Sequence, residues 1–222
     1  MFFNLLTYKF DSTQQRERFI GQLTAAVIPA LNRQGVGCVG AFEQPDRNSS
    51  VCLLLPHQTI DAAVSARDAG LIDIADFRRF DRGIHSNYAT VSSFLLRGID
   101  AMPGIEVPTR VPTRVFQLRT YESPSETASQ KKLEMFHQGE LEIFRRVGLA
   151  PVFFAETLFG TGLPSLTYML SFDDMNALKT AWDHFVKDSA WQEMSNQPDY
   201  SDDVLIRSIR NEVLFPIEAS QM

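Results

Sequence analysis

The stretch VFQLRTY, residues 115–121, decides the fold, because apolar and polar side chains alternate along it as they do in a β-strand. Its last four residues, LRTY, match LLTY at residues 5–8, which lie 113 residues earlier. The same offset relates IFRRVGLA at 143–150 to ALNRQGVG at 30–37. We interpret this constant offset as the internal duplication of one domain.

The second half of the chain predicts the element order βαββαβ. Apolar residues recur every three or four positions between the first two strands, which indicates a helix lying on the sheet. Gly148 is the expected C-cap of that helix, and GTGLP is a turn typical of a hairpin. The predicted strands are 115–121, 152–158, 166–171 and 204–210, and the predicted helices are 127–147 and one that begins after Asp173 or Asp174.

This order predicts an α+β fold of two ferredoxin-like βαββαβ units, each with helices on one sheet face only. The bare faces can cover each other, which would make an intramolecular dimeric α/β barrel. The proline-rich near repeat VPTRVPTR predicts an extended linker at 100–112. The expected domains are therefore 1–99, a degenerate copy, and 113–222.

Composition excludes several classes of function. The net charge of -6 is spread over both halves, so we expect no nucleic-acid binding. No apolar run reaches the roughly 18 residues of a membrane span, and the first residues do not resemble a signal peptide, so we expect a cytoplasmic protein. Cys38 and Cys52 fall on neighbouring predicted strands, where reduced, buried thiols are favoured over a disulfide or a metal pair.

The second half resembles the NIPSNAP domain, a member of the dimeric α/β barrel superfamily. The resemblance rests on FQLRTY at 116–121, on the run from KLEMFHQGELEIFRRVGLA to LTYMLSFDDM at 132–175, and on AWDHFVKDSAW at 181–191. Ser165 stands where the family has Asn, and Ser189-Ala190 replaces Pro-Glu. The resemblance implies the barrel fold but little about activity. Relatives in the wider superfamily include cofactor-independent monooxygenases and haem-degrading enzymes, with a pocket between sheet and helices.

Glu140 and His137 are the candidate catalytic residues. Glu140 falls within the buried stripe of its predicted helix, where a lone carboxylate is costly, and Val27 takes its place in the first half. Glu140 could be satisfied by Arg119, Arg145 or a tyrosine hydroxyl, or it could serve as a general base. His137 could face the same cleft, but no second His or Cys accompanies it, so we propose no metal.

Arg119, Tyr121, Arg207 and Glu156 are the candidate ligand-binding residues. Arg119 and Tyr121 share a strand face, and Arg207 is predicted within the last strand, so the two arginines could converge on an anionic group between the domains. Alternatively, they pair with Glu156 or Glu43 in an interdomain network. The offset assigns Leu6, Tyr8 and Phe94 of the first half as the counterparts of Arg119, Tyr121 and Arg207.

Three functions stay open from the sequence. The first is a small-molecule site in the second half, either for binding alone or for enzymatic chemistry without a cofactor. The second is a non-catalytic protein-interaction module. A homo-oligomer is possible with any of the three functions. The third is a haem or tetrapyrrole binder that uses His137, for which a single candidate ligand is weak support.

Overall fold

The computed structural model describes residues 1–44, 50–69 and 87–222. The chain divides into two compact units. Unit 1 comprises Met1–Leu95 with Leu214–Met222, and unit 2 comprises Leu96–Val213. Both contain helices and antiparallel strands, which confirms the prediction of a mixed fold.

Unit 2 contains an antiparallel sheet. Its strands are β5 (Val115–Glu122), β6 (Ala150–Phe159), β7 (Ser165–Phe172) and the first part of β8 (Ser208–Pro216). Their order in the sheet is β8-β5-β7-β6. Val115 pairs with Phe172 and Glu122 with Ser165, so β5 and β7 are matched over their full lengths. Its helices are α4 (Glu126–Met135), α5 (Leu141–Val147), α6 (Met175–Lys187), α7 (Ser189–Ser195) and α8 (Asp202–Leu205).

The first helical region of unit 2 is interrupted where the sequence predicts one continuous helix. It begins at Ser125, whose hydroxyl accepts a hydrogen bond from the Ala128 amide, and it ends at Gly148 in the left-handed conformation. Between α4 and α5, Phe136–Glu140 forms a π turn. Gly139 within that turn has φ of 137°, a value open mainly to glycine.

The helices of unit 2 cover the sheet face on which Tyr121 and Tyr168 lie. Both tyrosines belong to one buried cluster with Phe136 of the π turn and Phe144 of α5. Gln117 and Arg119 precede Tyr121 along β5 by four and two residues, so all three lie on the same face. The polar face of the predicted strand is therefore the face beneath the helices.

Unit 1 repeats the elements of unit 2 at the expected positions. The strands β3 and β1 pair from Phe2 with His57 to Tyr8 with Val51, and β3 also pairs with β2. A second π turn, Leu23–Val27, lies 113 residues before the first one described. The described elements are β1 (Phe2–Lys9), α1 (Thr13–Gln22), α2 (Ile28–Arg33), β2 (Gly40–Gln44), β3 (Ser50–His57), α3 (Ile60–Ala69) and β4 (Thr90–Gly98), whose last residues belong to unit 2.

The predicted strand 204–210 is wrong. Residues Asp202–Leu205 form α8, and β8 begins only at Ser208. Leu205 is fully buried in a small cluster with Ala128 and Met135 of α4, so packing against that helix stabilises a helical turn where alternation favoured a strand.

The counterpart of Arg207 in unit 1 is also different from the one expected. The Arg207 amide donates to the Glu122 carbonyl, and the Ala89 amide donates to the Lys9 carbonyl in the same way. Ala89 is therefore the structural match of Arg207, and Phe94 is not.

Other predictions concern the connecting segment and the cysteines. Within the predicted linker 100–112, the Glu106 amide donates to the Val152 carbonyl of β6, and the whole segment belongs to unit 2. Cys38 and Cys52 are both thiols. Among the helices in the described ranges, none is long and apolar enough to cross a membrane.

Candidate functional site

Glu140 forms a buried ion pair with Lys132. The Lys132 Nζ atom lies 3.1 Å from Glu140 Oε2 and 3.2 Å from Oε1, so it donates to both carboxylate oxygens. The side chains of Lys132 and Glu140 are 3% and 2% exposed. Burial raises the pKa of the Glu140 carboxyl, and the Lys132 ammonium offsets that effect only in part. The carboxylate predicted from the sequence is thus present in the core, with a partner that was not predicted.

The π turn explains why two residues eight positions apart meet. In a regular α-helix, residues seven apart lie on one face, and residues eight apart are rotated away by roughly 80°. The π turn closes over one additional residue and contains a kink at Gly139, so the rotation between Lys132 and Glu140 differs from that of a regular α-helix. The local backbone therefore brings the ammonium and the carboxylate together.

Three aromatic rings lie close to the Lys132 ammonium, in addition to the Glu140 carboxylate. The Nζ atom lies 5.6 Å from the ring centre of Tyr121, 5.2 Å from that of Phe136 and 5.5 Å from that of Trp191. Burial alone would lower the pKa of Lys132, but the charges of Glu140, Tyr121 and Asp202 and the hydrogen bond to Glu140 together outweigh burial, and the pKa is raised. Ring faces and carboxylate together keep this lysine charged inside the core.

Two tyrosines and an arginine adjoin the ion pair. The hydroxyl groups of Tyr121 and Tyr168 are hydrogen-bonded at 2.6 Å. Burial raises the pKa of Tyr168 well above its usual value, so this phenol stays protonated. The Arg119 guanidinium lies 5.4 Å from the Tyr121 ring centre. Burial alone would lower the pKa of Arg119, but interactions with the Tyr168 and Tyr121 hydroxyl groups, hydrogen bonds included, together raise it. Arg119, Tyr121, Lys132, Glu140 and Tyr168 are called the charged cluster from here on.

Trp182 of α6 covers the arginine of the charged cluster. The Arg119 guanidinium carbon lies 4.5 Å from the Trp182 ring centre. The indole Nε1 donates to Gln117 Oε1 at 2.6 Å, which fixes the orientation of the ring. Trp182 and Arg119 are both partly exposed, whereas Lys132 and Glu140 are sealed. Solvent therefore reaches the charged cluster from the side of Arg119.

Unit 1 has apolar residues at the positions of the charged cluster. Phe19 stands in place of Lys132 and Val27 in place of Glu140, and both are fully buried. Leu6 stands in place of Arg119, while Tyr8 matches Tyr121. The Tyr8 and Phe19 rings pack with centres 4.6 Å apart, in the space where unit 2 holds the lysine against its tyrosine. The repeated fold therefore does not require charged residues at these positions.

The structure brings some of the predicted site residues together and separates others. Glu140, Arg119 and Tyr121 all belong to the charged cluster. His137 is exposed, although it lies in the same π turn as Glu140. Arg207 is half-exposed and donates to Glu122, and Glu156 accepts from Arg97.

Lys132 and Tyr168 are the cluster residues that sequence reasoning missed. Lys132 lies on the predicted helix but outside its apolar stripe, and only the π turn directs it toward Glu140. Tyr168 stands opposite Arg119 in the β5–β7 pairing. Aligning the two predicted strands as an antiparallel pair could therefore have placed Tyr168 beside Arg119. In the described part of the chain, no three His, Cys, Asp or Glu side chains are grouped as metal ligands would be.

Comparison with known proteins gives a family for unit 2 and a fold for the chain. The NIPSNAP family model matches residues 116–221. No protein of curated function matches the sequence. A NIPSNAP family protein from Agrobacterium tumefaciens is 18% identical, with 53% of this chain and 98% of that one covered and a TM-score of 0.45.

Two solved structures resemble the chain over nearly its whole length. A candidate monooxygenase from Lactobacillus acidophilus has a TM-score of 0.67 at 10% identity, covering 97% of this chain and 93% of that one. An anthrone oxidase-like protein has a TM-score of 0.55 at 10% identity, covering 98% and 91%. Identities this low indicate a shared fold and nothing more. The family match is specific to the second half, and residues 116–221 are a NIPSNAP domain.

Proposed function

We propose that this protein binds a small molecule at the charged cluster of unit 2 and acts on it without a cofactor. The observation that carries the proposal is the buried Lys132–Glu140 pair, because Phe19 and Val27 fill the same positions in unit 1. A buried ion pair stabilises a fold no better than apolar residues of similar volume do. Charges kept where the fold accepts apolar residues point to binding or chemistry.

The residues of the charged cluster suit proton removal from a bound substrate. A carboxylate whose pKa is raised by burial is better matched to accept a proton near neutral pH than an exposed one. Lys132 and Arg119 supply positive charge to the anion that forms, and the Tyr121 and Tyr168 hydroxyl groups are available as hydrogen-bond donors. His137, Arg207 and Glu156 have no part in this proposal.

The names of the two fold neighbours suggest which chemistry to try first. Removal of a proton from an anthrone-like substrate leaves an electron-rich enolate, which can react with dioxygen directly. The substrate carbon then gains one oxygen atom as a ketone, and the second oxygen atom leaves as water. Dioxygen is the only co-reactant in this scheme, which fits a cluster of acid, base and hydrogen-bonding groups.

We also propose the finer architecture expected from the sequence: two ferredoxin-like βαββαβ domains, at 1–99 and 113–222, forming an intramolecular α/β barrel. Support comes from the repeated element order and from neighbours that match nearly the whole chain. A homo-oligomer stays a proposal as well, and sedimentation at micromolar concentration tests it. A monomer at all concentrations would overturn it.

The two tryptophans of the chain provide the test of the binding proposal. Trp182 contacts Arg119 and Trp191 contacts Lys132, so each of the two indole N–H signals in a ¹⁵N spectrum comes from a ring that adjoins the charged cluster. We expect aromatic compounds such as anthrones to shift one or both signals, and oxygen uptake to follow without any added cofactor. A compound library that moves neither signal would contradict the proposal and favour the interaction module.

A further inference from the structure

The charged cluster carries more positive than negative charge. Arg119 and Lys132 are cations, and Glu140 is the buried anion between the strands and helices. Asp202 lies 4.0 Å from Lys132 with its side chain 57% exposed to water, so its charge acts on the Lys132–Glu140 pair from outside the core. Among the described residues, no carboxylate lies within 4.0 Å of the Arg119 guanidinium. Within the described ranges, Arg119 is therefore in no direct ion pair, although most of its side chain is buried, and it interacts with the charge of Glu140 over a longer distance.

The hydrogen-bonding capacity of Arg119 is also incompletely used. Its Nε atom is buried and has no hydrogen-bond partner in the described part of the chain. An unmet donor on a charged group costs free energy unless something binds it. The position is not one where the fold needs an arginine, since Leu6 occupies it in unit 1.

The arrangement around the guanidinium favours a flat anion. The guanidinium carbon lies 4.5 Å from the Trp182 ring centre and 5.4 Å from that of Tyr121, and the hydroxyl groups of Tyr121 and Tyr168 take up part of its N–H capacity. The Nε–H group is the donor left without a partner among the described residues. A carboxylate accepts two parallel hydrogen bonds from the edge of a guanidinium, and an enolate accepts at its single oxygen. The partly exposed Trp182 and Arg119 give such an anion its approach from solvent.

We propose that the ligand of unit 2 carries a planar oxyanion and that Arg119 binds it through the edge of its guanidinium. This inference rests on the proposed function and specifies the class of ligand. The Tyr121 hydroxyl group lies beside the guanidinium and can donate a further hydrogen bond to the oxyanion. Arg119 is then the residue that distinguishes an anionic ligand from a neutral one of the same shape.

The test compares matched probes on the full-length protein. Benzoate and 4-nitrophenolate are planar oxyanions, and benzamide is a neutral match for benzoate. Each is titrated while the Trp182 indole N–H signal is followed. We expect both planar anions to bind at the cluster and benzamide to bind at least about tenfold more weakly, since a hydrogen bond to a charged group contributes roughly 1.5–3 kcal/mol.

Three variants locate the binding group. Arg119→Gln is expected to lower benzoate affinity by about tenfold to a hundredfold. Arg119→Lys keeps the charge but loses the planar fork, so it should recover only part of the affinity. Arg146→Gln removes an exposed arginine of unit 2 that pairs with Asp188, and it should leave the affinity unchanged.

The outcomes separate this inference from the proposed function. Neutral and anionic probes that bind equally at the cluster would overturn the inference and leave the proposed function standing. The same follows if Arg119→Gln binds benzoate as well as the wild type does. If no probe and no library compound moves either indole signal, both proposals fail.

Discussion

Replacing both members of the buried ion pair should have a different effect from replacing one. Lys132→Met and Glu140→Leu remove the charges at similar volume, as Phe19 and Val27 do in unit 1. The wild-type pair at 3.1 Å gains about 5 kcal/mol of attraction at an effective dielectric constant of about 20. Desolvation costs several kcal/mol for each of the two buried ions, so the net contribution to stability is close to zero or unfavourable.

Each single variant leaves one buried charge without its partner. We therefore expect Lys132→Met or Glu140→Leu alone to lower the free energy of unfolding by about 3–5 kcal/mol. Glu140→Gln should destabilise the protein for the same reason, whether or not Glu140 has a function. The double variant should be as stable as the wild type or up to about 4 kcal/mol more stable.

Urea unfolding at neutral pH measures the four free energies of this cycle. The exposed pair Lys187–Asp183 is the matched control, since its atoms lie 2.8 Å apart with side chains 70% and 67% exposed. Removing that pair should leave the stability almost unchanged, because solvent screens an exposed ion pair. A double variant that loses as much stability as the two single variants combined would refute the reasoning, because the charges would then be needed by the fold.

Three further predictions concern stability. Burial lowers the pKa of His57. The unfolded chain therefore binds a proton below about pH 6.5 that the folded protein does not bind. Stability measured by urea unfolding should fall below that pH, and the stability of His57→Phe should fall less. Gly139→Ala forces alanine to φ of 137° and should lower the free energy of unfolding, measured by thermal unfolding, by about 1 kcal/mol or more. Gly21→Ala, in a regular helix, should raise the free energy of unfolding by up to about 1 kcal/mol. Ser125→Ala removes an N-cap and should lower the urea midpoint by the equivalent of about 1 kcal/mol, and an unchanged midpoint would contradict the cap.

The repeat in the sequence was enough to predict where most elements lie. The offset between LLTY and LRTY places β1 and β5 at matching positions, because each strand carries the alternation that its sheet face requires. The strand at 204–210 was misplaced because alternation in a short segment cannot reveal that Leu205 packs beneath a helix. Tertiary packing overrode local pattern at that point.

The candidate site was predicted in part, for a physical reason. Glu140 stood out because a carboxylate interrupts an apolar stripe, and that signal survives whatever its partner is. Lys132 gave no such signal, because a period of 3.6 residues places it off the stripe and the π turn is not apparent from residue spacing. Arg207 was expected in the middle of the last strand with Phe94 as its counterpart, and the structure places it before β8 and matches it with Ala89.

The affinity of a bound compound for the stable double variant tests the central claim most directly. A compound that shifts the indole signals of the wild type is titrated into Lys132→Met/Glu140→Leu, whose fold is checked by urea unfolding. The account predicts that this variant keeps its stability and loses binding by at least about tenfold, as expected when a hydrogen bond to a charged group is removed. Unchanged affinity in a folded double variant would contradict the claim that the charged cluster is the functional site.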